Sequence, residues 1–306
     1  MCLTALFLTG PLTHAEAIKH RFIVFDEAGH QLVHVDEKDA SKNWDKPFEG
    51  RCWDIQLAGD NQLLLATATG YHLVDLATGN IVDTVTIDGL KDAWSFRRLK
   101  DGSAIAIGLG GKKTPLFAVE ISKRGELVRK AEVPGAKQLR FGRITSDGHA
   151  LAVPGDELIE WDLDGNIIKR FPLPQNVVRK NGLKAFMALK DSDGCYWVAY
   201  GYGGITVKLS PDGSVLQKYT DPDNIHFTAG FQRLPNGNLV QANWAGHKPE
   251  TAVNGKQLIE FNPQGEVVWT YHDPETLSCP VSVIILDDLN TQKPAGDTDS
   301  LLKNFR

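Results

Sequence analysis

Cysteine is scarce in this chain of 306 residues, with four in all: Cys2, Cys52, Cys195 and Cys279. That is too few and too scattered for a disulfide framework, and no His/Cys group has zinc spacing. Long apolar runs are missing too. Nothing approaches the roughly 18–20 apolar residues that a membrane helix needs, so no transmembrane segment is expected. There is no basic excess: the formal net charge is −5. Phosphate backbones are bound by basic faces, so nucleic acid is not expected as a partner. No stretch carries the periodicity of a long amphipathic helix. No Walker loop occurs; GLGGKKT at 108–114 is glycine-rich with lysine but lacks the GxxxxGK spacing. The DLDGN, SPDGS and TSDGH stretches lack the ordered oxygen ligands ending in Glu that a calcium loop requires, and read as hairpin turns. Neither a resident metal nor a cofactor is expected.

What is present is a repeat. A short apolar strand meets a turn carrying glycine, and a second strand leaves it. The copies are FIVFDEAGHQLVHVD, HLVDLATGNIVDTVTI, LFAVEISKRGELVRKAEV, LIEWDLDGNIIKRFPL, ITVKLSPDGSVLQKYT and LIEFNPQGEVVWTYH. Their turn glycines are Gly29, Gly79, Gly125, Gly165, Gly213 and Gly265, recurring at roughly forty to fifty residues, a period typical of propeller blades. Before every copy except the first lies another strand pair, joined by a DG, DN or NG turn: WDIQLAGDNQLLLAT, WSFRRLKDGSAIAIG, LRFGRITSDGHALAV, FMALKDSDGCYWVAY and GFQRLPNGNLVQANW. Each full unit is four strands, clearest at 229–272. One such sheet cannot bury both its faces; stacked around an axis, each covers its neighbours.

The expected fold is therefore all-β, a six-bladed β-propeller of four-stranded antiparallel blades. The first pair, 21–36, lacks an inner pair, and the last inner strand, 281–287, lacks an outer one. N- and C-terminal strands sharing one blade close the ring: 281–287 is its first strand, the pair 21–36 its third and fourth, and its second strand is unassigned. At the start, the apolar run 3–12 followed by Thr13-His14-Ala15 resembles a signal peptide cut after Ala15, although no basic residue precedes it. The expectation is a leader at 1–15, a single domain at 16–306, and a periplasmic or extracellular location. Cys52 and Cys279 each precede an innermost strand of adjacent blades; a seam disulfide and two buried thiols are both compatible with that placement.

Loops joining blade to blade share one face with those joining second to third strands. On it fall 37–50, 88–92, 174–182, 221–224 and 273–278, and, within blades, 67–70, 108–114, 154–156, 200–204 and the longest, 243–256. Long loops on a repetitive scaffold carry function. His226 and His247 are brought to this face as candidate acid, base or nucleophile; both also fit as hydrogen-bonded loop residues. Arg97, Arg140 and Arg143 are candidate clamps for a sulfate, phosphate or carboxylate, or inter-blade ion pairs. Arg51 and Lys113 are weaker members of that set. Trp53, Trp94 and Trp244 are candidate stacking platforms, or packing between blades. Asn243 opens the long loop beside Trp244.

The DLATG of Asp75–Gly79 and the GEVVW of Gly265–Trp269 resemble blade repeats of quinoprotein-type, PQQ-like propellers. The PNGN turn, with GFQ before it and ANWAGH after it, resembles the secreted six-bladed bacterial propellers related to arylsulfotransferases. The chain is too short for the eight blades of quinone-using dehydrogenases, and Asp83 stands where their repeat usually ends in Trp. The arylsulfotransferase likeness implies a histidine that takes a sulfuryl group, and His226 and His247 are the candidates here. The function expected is an exported propeller that binds a small polar or anionic ligand, carbohydrate among them, at the channel mouth through Trp94, Arg97, Arg140, Arg143, Asn243 and Trp244. The alternative is an enzyme on the same face: a sulfuryl or other group transferase, a lyase or a hydrolase using His226 or His247. The sequence does not specify an oligomeric state.

Overall fold

The computed structural model describes residues 17–48, 50, 53–110, 115–134, 138–177 and 184–295. The expected leader, Arg51, Cys52 and Lys113 lie outside them. The described residues form six four-stranded antiparallel sheets and no α-helix. Blades one to five run in chain order, at 55–86, 93–133, 142–172, 187–219 and 228–271. Blade six combines the two ends of the chain. Its innermost strand is Pro280–Ile285, followed outward by Arg21–Asp26, Gln31–Asp36 and Trp44–Pro47.

Burial follows the stacking. Inner strands are covered on both faces, and Leu239–Asn243 and Leu258–Phe261 are buried throughout. They accordingly read as near-continuous apolar runs. The outermost strands are covered less: Ile167–Pro172 has no fully buried residue. Between blades three, four and five, residues just before the innermost strands interlock edge to face. Phe141 meets Phe186 at 4.9 Å between ring centroids, and Phe186 meets Phe227 at 5.4 Å. Such pairs contribute about 0.5–1.5 kcal/mol each beyond their burial.

Two details of blade six differ from the sequence reading. The hairpin 21–36 supplies its second and third strands, not its third and fourth. The unassigned strand is the outermost, Trp44–Pro47, inside what reads as a loop at 37–50. Its first part, 37–43, therefore lies at the end of the propeller opposite the candidate ligand face. The turn chemistry marks the difference. Gly79, Gly125, Gly165, Gly213 and Gly265 all take φ between +70° and +89°, whereas in the first hairpin His30, not Gly29, is left-handed, at +49°.

The seam is held at both ends. Phe22 to Phe25 pair with Ile285 to Ser282 along the ladder. At one end the fully buried Asp26 carboxylate accepts from the Ser278 and Cys279 backbone N–H groups and from the Ser278 hydroxyl, at 2.7–2.8 Å. At the other, the His20 ring lies between two carboxylates, Nε2 at 2.8 Å from Glu260 of blade five and Nδ1 at 2.6 Å from Asp287. Beyond the last strand the chain crosses to blade one. There Ala295 N–H donates to the Leu57 carbonyl and Asn61 N–H to that of Thr291.

Burial alone lowers the His20 pKa, but bonds to Glu260 and Asp287 outweigh it and leave it raised above 6.5. The folded protein thus holds this proton more tightly than the unfolded chain. Its contribution is complete below about pH 6.5 and fades as pH rises through the higher folded pKa. His34 and His72 shift the other way, chiefly through burial, so the difference between wild type and His20→Ala isolates His20. The expected loss in His20→Ala is about 3 kcal/mol at pH 5.5, shrinking as pH rises, as read by urea unfolding. A loss that stays constant across that range contradicts the seam role.

Candidate functional site

A pocket lies at the channel mouth, on the face made by blade-to-blade and second-to-third-strand loops. It encloses about 560 Å³ of space open to solvent. Its apolar floor includes Ala185, Phe186, Phe227 and Val281; opposite a side formed by His247 and Glu27 of blades five and six stands a polar wall from blades three and four, Gln138, Arg140, Lys184 and Tyr202, and Trp53 and Trp244 complete the lining.

Each cation on this wall is carried by an aromatic ring. The Arg140 guanidinium lies 5.5 Å from the Trp53 ring and 5.7 Å from that of Trp94, and those two indoles meet edge to face at 5.2 Å. The Lys184 ammonium lies 5.2 Å from the Tyr202 ring. A cation over a ring face is attracted by the ring's quadrupole.

Across the pocket, Glu27 organises the long loop. Its carboxylate accepts from the Trp244 indole N–H at 2.9 Å and lies 3.0 Å from His247 Nδ1. The imidazole also meets the Trp244 ring edge to face at 4.6 Å. A carboxylate on Nδ1 favours the tautomer with its proton there and leaves the Nε2 lone pair outward. The imidazole is largely exposed, its side chain at 73%.

The sequence-derived candidates divide into two groups. Arg140, Trp244 and His247 line the pocket, as does Trp53; Trp94 supports Arg140 from behind. Arg97 and Arg143 lie deeper. Both are buried and both reach the fully buried Asp54 carboxylate, Arg97 through two nitrogens at 2.8 and 3.1 Å and Arg143 at 3.1 Å. Asn243 is buried and joins two loops. Its carbonyl accepts from the N–H groups of His226 and Phe227, and its amide donates to the carbonyls of Asn224 and Lys256 at 2.7 and 2.8 Å. His226 is exposed and does not line this pocket. Sequence reasoning missed Glu27, Gln138, Lys184 and Tyr202.

Among the described residues one cluster has metal-ligand composition, Asp147, His149 and Glu160, at the opposite end of the propeller. A cation already bridges it. Lys190 Nζ lies 3.0 Å from Asp147 and 2.8 Å from Glu160. Burial opposes ionisation of Glu160, but donors from Lys190, Tyr196 and His149 outweigh it and lower its pKa. This is a self-satisfied ion network. The pocket itself offers one described carboxylate beside two cations, a poor fit to the several oxygen ligands of a divalent ion.

No family model matches the chain. Over 204 residues it is 26% identical to 6-deoxy-6-sulfogluconolactonase of Pseudomonas putida, covering 63% of this chain and 68% of that protein. A protein of unknown function from Bacteroides caccae superposes with a TM-score of 0.70 at 20% identity, covering 87% of this chain and 98% of that one. A catalytically inactive histidine-to-alanine variant of virginiamycin B lyase from Staphylococcus aureus, solved with quinupristin, gives 0.56 at 12% identity, covering 85% and 86%. The structural likenesses establish the six-bladed fold and nothing finer.

Asn243→Ala removes two acceptor and two donor contacts from buried backbone groups. It is expected to lower stability by about 2–4 kcal/mol and to speed amide exchange at 226–227 and 244–256 ahead of the blade strands. Unchanged exchange there would show that the loop is held by other contacts.

Proposed function

We propose that this protein binds a small anion with a flat or ring-shaped body at the channel mouth, carbohydrate acids included. The observation that carries this reading is the convergence of Arg140 and Lys184, each poised over an aromatic ring, on one wall of a pocket with an apolar floor. Guanidinium and ammonium hold the anionic group; Trp53, Trp244 and Tyr202 take the faces of the body. Arg97 and Arg143 support this wall through Asp54, Trp94 backs Arg140, and Asn243 fixes the loop that presents Trp244. We also place the protein outside the cytoplasm, on the leader-like start of the chain.

A second reading, an enzyme on the same face, is favoured by the Glu27–His247 contact. An imidazole oriented through Nδ1 presents Nε2 as a base, which can take a proton from water attacking an ester carbonyl or from a carbon beside a carbonyl. The same Nε2 suits the group transfer implied by an arylsulfotransferase-like chain. The relative named as a lactonase and the lyase inactivated by loss of one histidine both point to hydrolase or lyase chemistry.

The test is calorimetry and turnover with one panel: sugar acids, their lactones, aryl carboxylates and aryl sulfates, each beside a neutral analogue. Arg140→Ala with Lys184→Ala is expected to weaken binding of the best anion at least tenfold, by analogy with lost charge-assisted contacts. Neutral analogues binding equally well would end the anion reading. Where turnover is found, His247→Ala is expected to lower kcat by roughly 10²–10⁴ with affinity little changed, and Glu27→Gln to lower it less. Full turnover in His247→Ala would remove the histidine from the chemistry.

A further inference from the structure

Cys279 stands at the entry to the innermost strand of blade six, just ahead of Val281 of the pocket floor. Its thiol is free and fully buried. The residue meets both partners of the Glu27–His247 contact. Its carbonyl accepts from the Glu27 N–H at 3.1 Å, and its own N–H donates to the Asp26 carboxylate at 2.7 Å, so the chain at 26–27 is fastened to it twice. Its side chain meets the loop that carries His247. Sγ lies 3.2 Å from Thr251 Oγ1, and the backbone of Ala245 and Gly246 also bonds the sulfur. Those contacts fall on either side of His247 in the chain: Ala245 and Gly246 before it, Thr251 after it.

The direction of these bonds follows from what each group has to give. Thr251 has one hydroxyl proton, and it goes to the Lys248 carbonyl at 2.7 Å. The contact with sulfur is therefore the S–H donating to Thr251 Oγ1. Burial raises the thiol pKa above its ordinary value, outweighing the opposing contacts with Thr251, Ala245 and Gly246, so that proton is in place at neutral pH. The sulfur lone pairs are left to accept from the N–H groups of Ala245 and Gly246. The two limbs of the loop also approach closely, since a Cβ built on Gly246 would lie 2.9 Å from Thr251 Oγ1. His247 itself, with its side chain 73% exposed, receives little guidance from packing. Whether its Nδ1 stands 3.0 Å from Glu27 is decided by where the loop backbone is held.

We propose that Cys279 is the positioning residue of the Glu27–His247 contact, holding Glu27 through its backbone and the His247 loop through its thiol. It touches neither ligand nor reacting atoms. Its effect passes through His247: with the loop seated, Glu27 meets Nδ1 and the imidazole keeps its proton there, with Nε2 turned outward as the base. The inference rests on the enzyme reading for the use of that contact, but the contact itself is measured without any substrate.

The test reads the His247 tautomer in the full chain, by nitrogen NMR of histidine-labelled protein at mildly alkaline pH, with the signals assigned through His247→Gln. The expected wild-type signal is that of a ring protonated on Nδ1. Cys279→Ala should shift it toward the Nε2-protonated form that a free imidazole prefers. Cys279→Ser, which keeps a donor and an acceptor, should restore most of the wild-type signal. Thr251→Val removes the thiol's partner without touching the seam and should move the signal the same way as Cys279→Ala, by less; it carries the test if Cys279→Ala does not fold. Cys195→Ala, at a buried free thiol in blade four, should leave the signal unchanged. Where turnover is found, Cys279→Ala should lower kcat by roughly tenfold to a hundredfold with KM little changed, and Cys279→Ser should recover it. A folded Cys279→Ala, or a folded Thr251→Val in its place, that keeps the wild-type tautomer overturns the positioning role and leaves the enzyme reading standing. A wild-type ring protonated on Nε2 overturns both.

Discussion

The structure depends on one constraint: a four-stranded blade has two apolar faces and can cover neither by itself. Every blade must be clasped by two neighbours, which forces a ring and makes its closure as important as any core contact. The chain meets this by giving its first strands to the blade that its last strand begins. Asp26 and His20 then fasten the two ends of that shared ladder with charged hydrogen bonds. Charged partners suit this place because a seam of apolar residues alone tolerates slippage. A one-residue slip would turn each strand's side chains to the wrong blade, and a buried carboxylate with several fixed donors accepts one alignment.

The sequence made most of this legible because hairpin turns have a strict grammar. Glycine at positive φ, between two polar residues and ahead of an aliphatic pair, recurs in five blades. The first hairpin imitates that grammar with FDEAGHQL but belongs one position further in. This single misplacement accounts for two separate losses. It hid the outermost strand Trp44–Pro47, whose four residues alternate between half-buried and exposed and look like loop. It also set the turn at 27–30 on the wrong end of the propeller, so Glu27 was never considered as a neighbour of His247. The left-handed residue in that turn, His30 in place of glycine, is the physical trace of the difference, but φ is not written in a sequence. Lys184 and Tyr202 were missed for another reason. Neither belongs to a motif, and they meet only because a blade-to-blade loop and a second-to-third-strand loop converge in blade four.

The arginines show why residue type and strand position do not suffice. Arg97, Arg140 and Arg143 all fall in or beside innermost strands, yet Arg140 meets the pocket while the other two meet Asp54. Alternation along a radial strand sends side chains toward either neighbouring blade or into the hole. Which applies is decided by the twist of the sheet and by what the next blade offers.

Pocket and buried cluster are nonetheless one construction. Trp53 is followed directly by Asp54, Trp94 shares a strand with Arg97, and Arg140 lies three residues before Arg143. The three residues that build the cation–π wall are therefore each tethered, within three positions, to a member of the buried ion group beneath. A guanidinium that engages a carboxylate through two nitrogens fixes its own plane and, through a short stretch of strand, the height of its blade along the axis. Blades one, two and three are set relative to one another by these charges. The wall that holds Arg140 over Trp53 and Trp94 is rigid as a consequence of that arrangement, because three separate loops could not keep two indoles and a guanidinium within 6 Å of one another without common support below. The opposite wall has its own fastening through Glu27 and Asn243, on blades five and six. Two independently braced walls facing each other over an apolar floor are what a preorganised site requires, since any small guest would then order few side chains and keep more of its favourable free energy.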